Sequence, residues 1–116
     1  MNQNQINAVL NILGVATDDL NEVNIIQYLF QMVESAICLY VDEESVPDKL
    51  AFIVNEVVIQ RYQLIGAEHL ESEGIDVLSS TYRNPSELLA NYFHYLDSYL
   101  NTKKSHKTSN KKARLL

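Results

Sequence analysis

The chain has 116 residues, 47% of them hydrophobic, with three glycines, two prolines and one cysteine; this suits a single domain with a modest core and leaves little room for a deep catalytic cleft beside it. Its net charge of −6 hides an asymmetry: residues 1–100 hold all 15 acids against three bases (Lys49, Arg61, Arg83), a net of −12, whereas residues 101–116 hold six bases and no acid. An acidic body repels phosphate, the lone Cys38 excludes an internal disulfide and fits a reducing compartment, and the polar start MNQNQ and the lack of an apolar run near ~20 residues argue against a signal peptide and a membrane span.

The scarcity of glycine and proline favours helices, and the pattern predicts four in an all-α bundle. The first covers about residues 4–13 and stops at Gly14. Thr17, Asp18 or Asp19 caps the second, which runs from about 19 to 40. At about 100° per residue, Ile26, Leu29, Phe30, Val33, Ala36, Ile37 and Tyr40 form one apolar stripe. Ile25, Tyr28, Met32 and Leu39 widen it, while Gln27, Gln31, Glu34 and Cys38 fall opposite. An arc this wide calls for two neighbours, or for one neighbour and another subunit.

Pro47 suits the first position of the third helix. That helix is predicted to reach about Ile65 and to end at Gly66. Leu50, Ile53, Val54, Val57, Val58, Tyr62 and Ile65 keep helical spacing, and Phe52 and Ile59 lie on the far side. Residues 66–83 form an unusually long connector for a small helical protein. Within it, residues 75–82 read as an extended arm or short strand. Asn84-Pro85-Ser86-Glu87 resembles a capping box with proline at the first turn. The fourth helix is predicted to reach about Leu100, with Leu88, Leu89, Tyr92, Tyr95, Leu96 and Tyr99 on its apolar face. The basic segment 101–116 lacks a sustained apolar period and reads as a flexible tail, disordered when the chain is alone. The organisation is thus a helical domain, 1–100, and a tail, 101–116.

Candidate sites are few. Arg61 points into the apolar arc of the third helix, which suits a structural ion pair or a helix-end contact. His69 sits among Glu68, Glu71 and Glu73, but the spacing matches no metal motif. Cys38 lies on a polar helix face with no base nearby, as an inert surface or interface thiol does. The run Asp42-Glu43-Glu44 lacks the alternating ligands and glycine of a calcium loop. Tyr92, Tyr95 and Tyr99 have no interleaved bases for stacking on nucleic acid, so they read as core or subunit packing. Lys103, Lys104, Lys107, Lys111, Lys112 and Arg114 form a partner-binding tail, for nucleic acid or for an acidic protein surface. No catalytic set, metal site or cofactor loop emerges. The residues point to a non-enzymatic subunit of an assembly; a small nucleic-acid-binding regulatory protein using the tail is the alternative.

The order of features resembles the tailed-phage head–tail connector (adaptor) family. The resemblance rests on VLNILGVATDD at 9–19, AICLYV at 36–41 and VVIQRYQLIG at 57–66. It continues through GAEHLESEG at 66–74, a serine-rich extended piece closing on Tyr82, and a last helix, covering about residues 7–100. The resemblance implies a structural virion protein assembled in the host cytoplasm and placed at the head–tail interface. It implies a ring, usually of twelve copies, that docks on the portal protein and offers a platform for a stopper or tail-completion protein while DNA passes through its lumen. No cofactor is implied. On this reading Gly74, Ile75, Val77, Leu78 and Tyr82 belong to an arm that reaches a neighbouring subunit or the channel.

Overall fold

A computed structural model describes the backbone of residues 3–73 and 85–115, and side-chain surroundings for residues 3–66 and 87–104. The protein is an all-α bundle. Its elements are α1 (Gln3–Leu13), α2 (Leu20–Val41), a 3₁₀ turn (Asp48–Leu50), α3 (Ala51–Glu73), α4 (Pro85–Ala90) and α5 (Phe93–Leu115). Among the described residues there is no strand.

Helix α1 ends as its sequence predicts. Gly14 takes a left-handed φ of 71°, a region that costs a side-chain-bearing residue roughly 1–2 kcal/mol. Its N–H donates to the Asn11 carbonyl at 3.2 Å, and the Val15 N–H donates to the Leu10 carbonyl at 2.9 Å. These paired bonds satisfy two of the last helical carbonyls, and half-buried Val15 closes back on the core beside buried Leu10.

Asp19 caps α2 by accepting a hydrogen bond from the Glu22 N–H at 3.4 Å. At the other end Asp42 adopts the left-handed region, φ 57°, and returns its N–H to the Cys38 carbonyl. Aspartate tolerates that conformation better than most residues. Pro47 precedes the 3₁₀ turn, whose Leu50 N–H bonds the Pro47 carbonyl at 2.9 Å, and this turn leads straight into α3.

The core gathers one side of each helix. Ile6, Val9 and Leu10 of α1 meet Ile26, Leu29, Phe30, Val33, Ile37 and Val41 of α2. Leu50 and Ile53, Val54, Val57 and Val58 of α3 fill the centre, and Leu88, Leu89 and Leu96 close it. The α2 core stripe is therefore as read from periodicity, except that Ala36 is exposed, Tyr40 is only half-buried at the edge of the core, and Val41 joins it.

Three predicted boundaries are corrected. Helix α3 does not stop at Gly66 but continues to Glu73, so His69 and its neighbouring glutamates lie on helix, not in a loop. Gly66 has open space where a side chain would sit. A lone exposed glycine costs a helix only about 1 kcal/mol, and the following AEHLESE is built of residues that tolerate helix. The predicted fourth helix is two: α4 and α5 are separated at Asn91-Tyr92, where the Asn91 and Tyr92 N–H groups bond the Leu88 and Leu89 carbonyls at 3.3 and 2.9 Å. These tight i→i−3 bonds break the α-helical ladder. Finally, α5 carries on past Leu100 to Leu115. No glycine or proline interrupts residues 86–116, and lysine, arginine and alanine are good helix formers. The predicted arm residues Gly74, Ile75, Val77, Leu78 and Tyr82 lie outside the described residues.

Candidate functional site

Helix α2 carries two apolar stripes, and the bundle covers only one. Ile25, Tyr28, Met32 and Leu39 are exposed, Leu39 by 86%. Ile25, Met32 and Leu39 are spaced by seven, with Tyr28 three beyond Ile25. That is the a/d spacing by which one helix packs lengthwise on another. At about 100° per residue the second stripe lies roughly 130° around the helix from the core stripe. Between Val23 and Val41 the only charged residue is Glu34, which falls on neither stripe.

The N-terminal half of this stripe borders a groove of 430 Å³ lined by Ile25, Tyr28 and Met32 from α2 and by Arg61 and Ile65 from α3. Arg61 is half-buried and is the single ionised side chain on the lining. The position expected to sit in the apolar arc thus lies half-buried at the wall of an open apolar groove.

A second exposed apolar feature lies at the junction of α3 and α5. Phe52 and Tyr95, 43% and 44% exposed, meet edge to face with ring centroids 5.2 Å apart. His94 lies tilted over Tyr95 at 4.0 Å. Tyr92 turns inward by comparison: its hydroxyl accepts from Gln60 Nε2 at 3.0 Å. Of the three tyrosines expected to serve core or subunit packing, Tyr92 and Tyr99 are half-buried and Tyr95 is exposed.

Three tyrosines bind the bundle through carboxylates. Tyr62 of α3 donates to Glu22 of α2. Tyr40 of α2 donates to Asp97 of α5 at 2.6 Å, and Tyr40 also stacks on Phe93 at 4.9 Å. Tyr99 of α5 donates to Glu43 at 2.9 Å. The hydrogen bond to Glu22 pushes the Tyr62 hydroxyl up to about 12, with burial assisting. Hydrogen bonds to Asp97 and Glu43 raise Tyr40 and Tyr99 for the same reason: the phenol cannot ionise beside a carboxylate without losing a bond and gaining a repulsion.

Lys103 is the residue that the sequence reading placed most differently. Expected in a partner-binding tail, it instead bonds Glu43 Oε1 through its ammonium at 2.6 Å and the Asp42 carbonyl at 3.1 Å, with the Val41 carbonyl at 3.5 Å. It thereby closes the C-terminus of α2, where carbonyls lack helical partners and the helix dipole favours a cation. The hydrogen bond to Glu43 raises its pKa. Lys104, next along, is exposed. The side chains of Lys107, Lys111, Lys112 and Arg114 lie outside the described residues.

A polar groove of 620 Å³ runs along the other side of α2, lined by Gln5, Gln31, Glu34, Ser35, Cys38, Glu44, Ser45 and Asp48 among others. Burial first, then Glu34 and Glu43, raises the Cys38 thiol. A thiol held protonated is a poor nucleophile. Among the described residues no group of three His, Cys, Asp or Glu side chains is placed to hold a metal ion, and no helix is long and apolar enough to cross a membrane. Compared with known proteins, the chain matches no family model, no curated protein and no solved structure.

Proposed function

We propose that this protein is a structural virion subunit, a head–tail connector (adaptor) that forms a ring beneath the portal, links the DNA-filled head to the stopper or tail, and lines part of the DNA channel without catalysing a reaction. The observation that carries the reading is the second apolar stripe of α2, which a self-sufficient helical bundle has no need to expose. The order of sequence features that resembles the connector family supplies the specific identity. An acidic body suits a conduit that passing DNA must not adhere to. The alternative, a nucleic-acid-binding regulator, draws on the basic segment, and the first lysine of that segment is already engaged by Glu43.

The test is electron microscopy of the purified chain mixed with the portal protein encoded in the same genome. The expected result is an extra ring of density on one end of the portal. A portal that stays bare at every concentration of the chain would remove the reading.

A further inference from the structure

We propose that the C-terminal half of α5 is a phosphate-binding helix that holds the backbone of duplex DNA without reading its sequence. This adds a binding site to the connector reading and does not depend on it.

Helix formation itself creates the site. The basic segment is helical to Leu115, and a helix turns scattered bases into an ordered set. At about 100° per residue, Lys104, Lys107, Lys111 and Arg114 share one face, within an arc of about 80° and over a rise of about 15 Å. Their spacing of three, four and three is that of a single helical stripe. Lys112 falls about 120° from the midline of that stripe. No acidic side chain follows Asp97 in the chain, so the charge of the stripe has a single sign.

Contacts on the bundle set the course of α5. Tyr40 of α2 meets Phe93 and Asp97, and Glu43, just past α2, meets Tyr99 and Lys103. The two helices therefore run the same way side by side, and α5 reaches the end of α2 at Lys103. Residues 104–115 continue α5 past that point. There Glu43 is paired with Lys103, and Lys104 is exposed. Arg114 follows Lys103 by about 16 Å of helix, roughly two screening lengths at physiological salt. The acids Asp42, Glu43 and Glu44 are thus largely screened from the far end of the stripe.

Composition selects the ligand. Four cations on one face attract a polyanion. From Asn101 to Lys112 the helix has no apolar residue; its bases are interleaved with Ser105, His106, Thr108, Ser109 and Asn110. A protein partner is held by an apolar or aromatic anchor at the middle of the contact, and a helix lying on a membrane needs an apolar face. This segment has neither. Single strands are held by aromatic platforms beneath their bases, and the last tyrosine, Tyr99, is bonded to Glu43. The duplex backbone remains. Its phosphates take contacts from lysine, arginine, serine, threonine and asparagine. B-form DNA has a major groove that admits a helix, whereas that of A-form RNA is too narrow. The acidic body repels the same phosphates, so contact is confined to α5 and its affinity is modest.

Fluorescence anisotropy of a labelled random-sequence DNA duplex, titrated with the full chain over a salt series, tests the site. Four neutralised phosphates predict a log–log salt slope of about −3.6, or a loss of roughly 100-fold in affinity between about 50 and 200 mM salt. Lys107→Gln is expected to reduce that slope by about one, and Lys112→Gln, off the stripe, by much less. Thr108→Pro keeps every charge but interrupts the helix, so it is expected to weaken binding at least ~10-fold as the two halves of the stripe part. Replacing Lys104, Lys107, Lys111 and Arg114 together by glutamine is expected to abolish binding, with thermal midpoints to check the bundle. Where that variant melts lower than wild type, the contrast between Lys107→Gln and Lys112→Gln decides alone. Equal losses from those two, full affinity in Thr108→Pro, or wild-type binding by the fourfold variant overturns the stripe. Tighter binding to polyglutamate than to DNA would assign the helix to an acidic protein, and preference for phosphatidylserine vesicles would assign it to a membrane. Either result overturns the proposal, as does a wild-type chain that binds no duplex at about 50 mM salt. The portal enters none of these measurements. Their failure leaves the connector reading standing, and a bare portal leaves this site standing.

Discussion

Phe30→Ala is expected to lower the unfolding free energy by about 3–5 kcal/mol, whereas Tyr28→Ala, two residues away on the same helix, is expected to change it by less than about 0.5 kcal/mol. The two rings differ in surroundings far more than in size. Phe30 is fully buried among the core residues, and Tyr28 is 59% exposed. Removing the Phe30 ring leaves a cavity that α1 and α3 cannot close without giving up their own contacts. Removing the Tyr28 ring returns apolar surface to a helix face that the bundle never covered. For a domain whose total stability is of order 5–15 kcal/mol, the first change takes a large share of it. Urea unfolding of both variants, read by circular dichroism, measures the contrast. Similar midpoints for the two would mean that the outer stripe of α2 is part of the core after all.

Raising the pH from 10 to 12 is expected to strip the bundle of a set of its ties together. Tyr62 ionises only near pH 12 in the folded chain, against an ordinary value of 10.0. Tyr40 and Tyr99 shift in the same direction, as does Lys103 from 10.5. A group whose folded pKa is raised holds its proton more tightly in the native state. Its stabilisation is complete below the unfolded pKa and is lost as the pH climbs through the folded one. For the tyrosines that window opens at pH 10, and for Lys103 at 10.5. The links concerned are α3 to α2 through Glu22, and α5 to α2 through Asp97 and Glu43, so their joint loss loosens α5 from the bundle. Thermal midpoints should fall steeply across this interval. Tyr62→Phe should lie below wild type at pH 9 and approach it by pH 12, because the variant has no such proton to lose. A gap between the two that stays constant with pH would show that the Tyr62–Glu22 bond contributes nothing through its protonation.

The sequence displayed the helices well where the pattern was local. Periodicity placed the α2 core stripe because its spacing holds for about four turns, Gly14 marked the end of α1, and the cap of α2 was narrowed to Thr17, Asp18 or Asp19, because end chemistry is carried by single residues. Gly66 misled for a physical reason. Glycine stops a helix when the chain needs a left-handed turn there, as at Gly14, but an exposed glycine with helix formers beyond it is merely a weak link. The break at Asn91-Tyr92 has neither glycine nor proline to announce it. Contacts between distant residues were the least legible. Tyr62 lies 40 residues from Glu22, Tyr40 57 from Asp97 and Lys103 60 from Glu43, and no pairing rule over such distances can be read from a single chain. Lys103 therefore looked like the first lysine of a free basic segment rather than the cap of α2. The exposed apolar surface was half legible. The excess width of the α2 arc was plain from spacing alone, but the Phe52–Tyr95 face required the fold to bring α3 and α5 together.

The most direct test of the central claim, that the outer stripe of α2 is an assembly face, is the oxidation rate of Met32 by dilute peroxide before and after the chain is loaded on the portal. In the free chain Met32 is 46% exposed, and its thioether should oxidise readily. In loaded particles the account predicts that Met32 is protected, with peptide mass spectrometry showing its sulfoxide forming at least ~10-fold more slowly, as a dry contact requires. An unchanged rate in fully loaded particles would contradict it.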